Sequence, residues 1–205
     1  MKLKTNKKIR KAVPSTEITS ILAKLADRQN AISRLQGNPT ASVLLLTPPP
    51  TEVEYRQNLP WCGEPAEVFL SFLAQELPEF DRSDVLYLPP IFHGEKPTKE
   101  TTAESLALFE LLIDFPTVEK VLCIGSAPFK VFIGRGTNPN MGTLIGQTIK
   151  TTTSRFKPVF VLPDPTPLVM TEGLRGREMF IQRREAGNMS LKLMSLVPAL
   201  TKFLS

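Results

Sequence analysis

The sequence predicts an α/β protein, a three-layer α/β/α sandwich around a central four-stranded parallel sheet. Four short aliphatic or β-branched runs are continuous rather than alternating, which is typical of parallel strands buried on both faces. Stretches with apolar residues at helical spacing separate these runs, and this alternation indicates a parallel sheet with helices on both faces. The chain has 205 residues, which is ample for one domain with its own core.

The predicted strands are residues 42–47, 84–88, 120–125 and 158–163. The predicted helices between and after them are residues 66–77, 101–115, 129–134, 174–185 and 190–204. A further helix begins near Ser15 and ends before Gly37-Asn38-Pro39. Because ligands of such sheets bind beyond the carboxyl ends of the strands, we expect the functional residues in the four loops that follow the strands.

The amino terminus is strongly basic. Residues 1–14 contain six Lys or Arg residues and no acid, which predicts a flexible tail, either a solubilising one or an arm for nucleic acid. We expect residues 15–205 to form a single domain. No apolar stretch follows the basic residues as in a secretory signal, and no run approaches the ~18 apolar residues of a membrane span. With two free cysteines, these features indicate a cytoplasmic protein without a membrane partner.

The net charge of +5 is unevenly distributed along the chain. Residues 13–129 hold 8 basic against 16 acidic residues, whereas residues 130–192 hold 10 against 4. The basic tail and the basic C-terminal third predict a polyanionic partner. One histidine excludes a His-His-carboxylate metal site, and two cysteines exclude a four-cysteine zinc or iron–sulfur site.

The loops after the strands carry the most specific signal. Residues 47–51 (TPPPT) follow the first strand, and residues 58–66 (NLPWCGEPA) lead into a helix. Residues 119–134 (EKVLCIGSAPFKVFIG) contain the third strand and the loop after it, and residues 161–168 (VLPDPTPL) contain the end of the fourth strand and the loop after it. In this order, over about residues 20–170, the chain resembles the compact bacterial and archaeal branch of the uracil-DNA glycosylase superfamily. The resemblance implies a protein that flips a nucleotide out of DNA, stacks its base on an aromatic ring and hydrolyses its N-glycosidic bond.

The resemblance places the stacking ring on Trp61, where tryptophan keeps a large π-face. An ordinary core aromatic is the alternative. The acid of the family's first loop falls on Pro48. Glu52 and Glu54 follow it, and either could hold a water molecule or be a solvated loop charge.

Two further family positions depart from the pattern. The base-reading asparagine falls on Pro89, which offers neither an amide side chain nor a backbone N–H, and Asn58 lies on another loop. The family's histidine falls on Asp164. An ionised aspartate would repel the charge developing on a base oxygen, so Asp164 would act either protonated or as the base that positions water.

The sole histidine, His93, lies near the same strand ends, with an ordinary surface histidine as the alternative. The catalytic candidates are therefore Asp164, Glu54 and Glu52. The candidate base pocket contains Pro48, Pro89, Asn58 and His93.

Basic and hydroxyl residues near the last two strand ends are candidate DNA contacts, since such side chains bind phosphates. A solvated helix face is the alternative for the arginines. The candidates are Ser126, Lys130, Arg135, Thr166, Arg175, Arg177, Arg183 and Arg184.

Three functional hypotheses follow. The first is a DNA-binding protein of the glycosylase fold that recognises an extruded uracil, damaged or modified base, in duplex or single-stranded DNA, with hydrolysis by non-standard residues. The second is a catalytically inactive DNA-binding or assembly subunit of the same fold. The third, a nucleotide-processing α/β enzyme, is disfavoured because Pro48-Pro49-Pro50 blocks close approach of backbone N–H groups to a phosphate. The branch's iron–sulfur cluster needs four cysteines, so no cofactor is expected.

Overall fold

A computed structural model of the chain describes residues 36–38, 40–51, 54, 57, 61–77, 80–90, 98–134, 141–169 and 174–205. The predicted tail and the first predicted helix precede this part of the chain. Four candidate site residues also lie outside the described residues, namely Glu52, Asn58, His93 and Arg135.

The sheet has a parallel centre of four strands, as predicted, in an α/β fold. Short antiparallel strands extend it at both edges, giving the order β1-β3-β2-β4-β6-β5. Each edge strand has only two residues, too few for a periodic sequence pattern. The strands are β1 (Gln36–Gly37), β2 (Val43–Leu46), β3 (Val85–Leu88), β4 (Lys120–Ile124), β5 (Thr148–Ile149) and β6 (Val159–Leu162).

α-Helical segments accompany these strands, and five of them have bounds within the described residues. They are α1 (Glu64–Glu76), α2 (Lys99–Ile113), α3 (Ser126–Pro128, continued by a π-helical turn at Phe129–Ile133), α4 (Met141–Leu144) and α5 (Gly176–Leu204). Helix α2 begins two residues before the predicted start because Thr98 and Thr101 form a reciprocal capping box. Single 3₁₀ turns occupy Arg82–Asp84 and Thr166–Leu168.

The C-terminal region corrects one prediction. Two helices were expected at 174–185 and 190–204, but α5 is one helix of 29 residues. Gly187 lies in the gap between the two predicted ranges, yet glycine inside a helix costs only about 1 kcal/mol relative to alanine. The helix continues because Met189 and Leu193 pack against the apolar cluster beneath it.

Alternate residues of the central strands pack on opposite faces of the sheet. Leu44 and Leu46 join the cluster that contains Phe109 of α2. Val43 and Leu45 join the cluster that contains Phe69 of α1, together with Leu200 and Phe203 of α5. The two clusters form the two interfaces of an α/β/α sandwich.

Helix α5 runs antiparallel to the neighbouring strands. Its last carbonyl, that of Leu204, accepts a hydrogen bond of 2.6 Å from Lys120 Nζ at the start of β4. Near its other end, Gln182 Nε2 donates a bond of 3.1 Å to the carbonyl of Val169, which lies beyond the end of β6. The first half of α5 therefore lies beside the edge of the sheet where the parallel strands end.

No helix in the described part of the chain is both long enough and apolar enough to cross a bilayer.

Candidate active site

The carboxyl ends of the parallel strands are joined by backbone hydrogen bonds. The N–H of Thr47 donates to the carbonyl of Leu88 at 3.1 Å, and the N–H of Gly125 donates to the carbonyl of Leu162 at 2.9 Å. The loops that follow these strands therefore begin side by side. This edge of the sheet is the place where the sequence predicts the functional residues.

Asp164 occupies this edge, directly beyond β6, and its side chain is exposed. One carboxylate oxygen, Oδ1, accepts hydrogen bonds from the N–H of Thr166 at 2.9 Å and from its hydroxyl at 2.6 Å. The other oxygen, Oδ2, accepts no hydrogen bond from the residues that the structure describes. The carboxylate is thus held by one oxygen and open at the other, which suits it to bind a water molecule or a ligand.

Gly125 allows Asp164 to approach β4 closely. Its φ of +81° is a backbone conformation that residues other than glycine rarely adopt. A Cβ at this position would lie 3.3 Å from Cβ of Asp164 and 3.4 Å from its Oδ2. Gly125 and Asp164 therefore bring the ends of β4 and β6 into contact at the candidate site.

Glu54 is buried, with 5% of its surface exposed, so the interpretation as a solvated loop charge is wrong for this residue. Its Oε2 accepts hydrogen bonds from the N–H of Thr51 at 2.7 Å and the hydroxyl of Thr51 at 3.0 Å. Its Oε1 accepts one of 2.9 Å from the N–H of Gly63. These three bonds satisfy much of the carboxylate's capacity, and they connect the loop after β2 to the turn before α1.

Trp61 lies inside that turn and is only 8% exposed. Its ring packs edge-on against Phe69, with centroids 5.8 Å apart, and tilted against Tyr87 at 6.2 Å. Its φ of +56° is unusual for a bulky side chain. The packing corresponds to the core aromatic that the sequence left as the alternative. Base stacking by Trp61 stays a prediction, and it requires the turn to open.

Cys62 follows Trp61 and is half-buried. Burial, and secondarily the negative charge of Glu54, raise the pKa of the Cys62 thiol. Cys123 in β4 is fully buried, and burial raises the pKa of its thiol strongly. Both thiols are therefore poor nucleophiles at neutral pH.

Thr47 is a site residue that the sequence analysis did not select. It closes the apolar run of β2 and is fully buried, and its hydroxyl oxygen has no hydrogen-bond partner among the residues that the structure describes. The available signal was a single hydroxyl residue at the end of four aliphatic residues. An unpaired buried hydroxyl is uncommon and marks either strain or a missing polar partner.

The prolines and the DNA candidates also have definite places. Pro48 is half-buried and Pro89 is buried, so two of the three positions that depart from the family pattern are turned toward the interior at this edge. The described DNA candidates are all exposed: Ser126, Lys130, Thr166, Arg175, Arg177, Arg183 and Arg184. Thr166 is hydrogen-bonded to Asp164, whereas the four arginines lie at or beyond the start of α5.

Among the described residues, no group of three or more histidine, cysteine, aspartate or glutamate side chains is arranged to hold a metal ion.

Comparison with known proteins identifies the family. No curated protein matches the chain. The sequence model of the Uracil DNA glycosylase superfamily matches residues 35–186, which cover about three quarters of the chain and include every parallel strand, the Trp61 turn and Asp164. The predicted resemblance and the α/β fold are thus confirmed, and the chain belongs to the uracil-DNA glycosylase superfamily.

Proposed function

We propose that the protein binds DNA, receives an extruded base at the carboxyl edge of the sheet, and hydrolyses its N-glycosidic bond with Asp164 as the residue that positions water. The superfamily acts on DNA. The observation that carries the proposal is the exposed carboxylate of Asp164, held through Oδ1 and open at Oδ2. Pairing of Oδ1 with Thr166 fixes the direction of Oδ2, and fixed geometry is what makes a general base effective.

The chemistry suits an ionised carboxylate next to the sugar rather than next to the base. As the bond between C1′ and the base nitrogen breaks, positive charge develops on the sugar, as in other glycoside hydrolyses. A nearby carboxylate stabilises that charge. Water held by Oδ2 attacks C1′, its proton passes to Asp164, and the base leaves with the electrons of the broken bond and is then protonated.

Glu54 acts in this proposal as a positioning residue, not a catalytic one. Its carboxylate is engaged with Thr51 and Gly63. It fixes the turn that carries Trp61, so that the turn either lines the base pocket or opens to admit a base. The extruded base is uracil or a damaged or modified base, and its edge is read without the amide that Pro89 replaces.

The basic residues supply affinity for the DNA backbone. We propose that residues 1–14 act as a flexible arm and that residues 15–205 form the single folded domain. Each phosphate neutralised by a lysine or arginine steepens the dependence of affinity on salt. A chain lacking residues 1–12 should therefore bind duplex DNA with a shallower salt dependence, whereas an unchanged slope would reduce the tail to a solubilising segment.

A second candidate function is a DNA-binding or assembly subunit without catalysis. The engagement of Glu54 and the burial of Trp61 favour it, because neither group is free to act in the way the family resemblance implies. Pro48 and Pro89 likewise lack the side-chain groups expected at their positions.

One assay separates the two candidates. Duplexes containing uracil, hypoxanthine or a modified base are incubated with the protein, treated with alkali, and examined for strand cleavage at the abasic product. Cleavage by the parent protein that Asp164→Ala abolishes supports hydrolysis. Binding of these duplexes without cleavage of any of them supports the second candidate, and absence of both binding and cleavage contradicts the first candidate and limits the second to an assembly subunit.

A further inference from the structure

An exposed aromatic residue on α5 is surrounded by arginines. Phe180 is 66% exposed and lies two residues before Gln182, whose side chain faces the segment after β6. On a helix, the neighbours of residue 180 on the surface are residues three and four positions away. Three of these four are Arg177, Arg183 and Arg184, and the fourth is Gly176.

The arginines are available to a partner. All three are exposed, and no carboxylate among the described residues pairs with them. The two acids of this half of α5, Glu178 and Glu185, are not three or four positions from any of the three arginines. The surface therefore presents an apolar ring beside three arginines, none of which forms an ion pair with a described residue.

We propose that Phe180, Arg177, Arg183 and Arg184, here called the Phe180 surface, bind DNA at an unstacked nucleotide, with the ring stacked on the base and the arginines on the flanking phosphates. This inference rests on the proposed function and adds a contact outside the base pocket. Aromatic stacking with basic residues alongside is the general way in which proteins hold unpaired nucleotides. Helix neighbours have Cβ atoms about 5–6 Å apart, so arginines on both sides of the ring reach successive phosphates of one strand.

The helix that carries this surface lies next to the candidate site, with Phe180 on the opposite side of α5 from Gln182. The hydrogen bond from Gln182 to the carbonyl of Val169 holds the first half of α5 beside the loop that carries Asp164. Thr166, in the same loop, is exposed. A strand that presents a nucleotide to Asp164 would pass beside the first turns of α5.

The charge of the Phe180 surface favours DNA over a second copy of the chain as its binding partner. A second copy pairing through the same surface would bring three further arginines against the first three, and like charges in contact repel. DNA supplies the opposite charge at regular intervals along each strand. The Phe180 surface is therefore complementary to a polyanion.

Leu191 provides a matched control on the same helix. It is 72% exposed, slightly more than Phe180. Its neighbours three and four positions away are Gly187, Asn188, Met194 and Ser195, none of which is charged. A contribution from exposed apolar area alone would affect both positions, whereas the proposed contact involves only Phe180.

The test measures binding to single-stranded DNA and to a duplex with an abasic site opposite 2-aminopurine, by fluorescence anisotropy. Phe180→Ala should weaken binding to both probes roughly 5- to 100-fold, the effect of losing one base-stacking aromatic. Leu191→Ala should stay within about two-fold of the parent. Arg183→Gln should lower the slope of log affinity against log salt by roughly 0.7 on the single strand.

Quenching of 2-aminopurine fluorescence by an introduced tryptophan tests the stacking directly. Phe180→Trp should retain affinity for DNA and quench the fluorescence of 2-aminopurine on binding, while Leu191→Trp should not quench it. Both sites are exposed, so these substitutions should leave the thermal unfolding midpoint unchanged.

Three outcomes would overturn the inference. If the parent binds DNA and Phe180→Ala binds equally well, the inference fails while the proposed function stands. If Phe180→Ala and Leu191→Ala weaken binding alike and convert a dimeric parent to a monomer in sedimentation, the surface joins two copies of the chain. If the parent binds no DNA probe, the proposed function fails and this inference fails with it.

Discussion

The carboxylate of Glu54 accepts a hydrogen bond of 2.9 Å from the backbone N–H of Gly63, nine residues further along the chain. Together with the bonds from Thr51, it connects the end of β2 to the start of α1 and encloses the turn of Trp61. The left-handed backbone conformation of Trp61 is energetically unfavourable by itself. The Glu54–Gly63 bond therefore contributes to keeping the Trp61 ring between Phe69 and Tyr87.

Glu54→Ala should lower the free energy of unfolding by about 2–4 kcal/mol, because it removes a buried carboxylate and leaves the N–H groups of Thr51 and Gly63 without their hydrogen-bond acceptor. Urea denaturation monitored by the fluorescence of Trp61, the only tryptophan, measures the change. Glu104→Ala, on the exposed side of α2, should stay within about 0.5 kcal/mol of the parent. Equal stability of the two variants would contradict a structural role for Glu54.

Thr47→Val should raise the free energy of unfolding by about 1 kcal/mol, since valine fills the same volume without a buried unpaired hydroxyl. Ser154→Ala is the contrasting variant. The Ser154 hydroxyl is also fully buried but bonds to the carbonyls of Thr151 and Lys157 at 3.0 and 2.9 Å. Ser154→Ala should therefore lower the free energy of unfolding by about 1–2 kcal/mol. Loss of stability in Thr47→Val would show that the hydroxyl has a polar partner in solution.

Two glycine substitutions should have opposite effects. Gly125→Ala should destabilise the protein by about 1–3 kcal/mol because of its positive φ and because its Cβ would press on Asp164. Gly187→Ala should stabilise it by about 0.5–1 kcal/mol, since open space surrounds that position within a continuous helix. Thermal unfolding measures both. A destabilising Gly187→Ala would indicate that α5 is interrupted there.

Stability should depend on pH through Lys157. Its ammonium group donates to the carbonyls of Ile113 and, at 3.0 Å, Phe115, where it caps the end of α2. Burial lowers the pKa of Lys157 below its ordinary 10.5, although the nearby charges of Asp114 and Glu119 oppose this shift. In the alkaline range between the folded pKa and 10.5, the unfolded chain binds more protons, so this group makes the free energy of unfolding rise with pH.

The comparison of Lys157→Arg with the parent isolates this contribution, because arginine does not titrate in that range. The variant should lose part of the alkaline rise in denaturant midpoint, whereas Lys202→Arg, at an exposed position, should keep it. Identical alkaline profiles for the parent and Lys157→Arg would contradict the burial effect.

The core of this fold was readable from the sequence because its strands are continuous apolar runs. The edge strands were not, since two residues carry no period and depend on pairing with β3 and β6. The continuity of α5 also depends on tertiary packing, by Met189 and Leu193, which outweighs the local preference of Gly187.

The candidate site was only partly predictable. The position of Asp164 at the end of a strand follows from the predicted topology. The resemblance to the family's motifs identified Asp164 as a candidate catalytic residue. The engagement of Glu54 and the burial of Trp61 depend on contacts with Gly63, Phe69 and Tyr87, which a linear pattern does not specify. The positive φ of Gly125 likewise becomes evident only when β4 and β6 are adjacent.

The most direct test of the central claim is the rate of base release from uracil-, hypoxanthine- and modified-base duplexes under single-turnover conditions, for the parent and Asp164→Asn. Asparagine preserves the size of the side chain and its capacity to accept from Thr166 but cannot take a proton from water. We expect release of a free base by the parent and a loss of about 100-fold or more in that rate for Asp164→Asn, with DNA affinity of the variant within roughly three-fold of the parent. Base release by Asp164→Asn at the parent's rate would contradict the central claim.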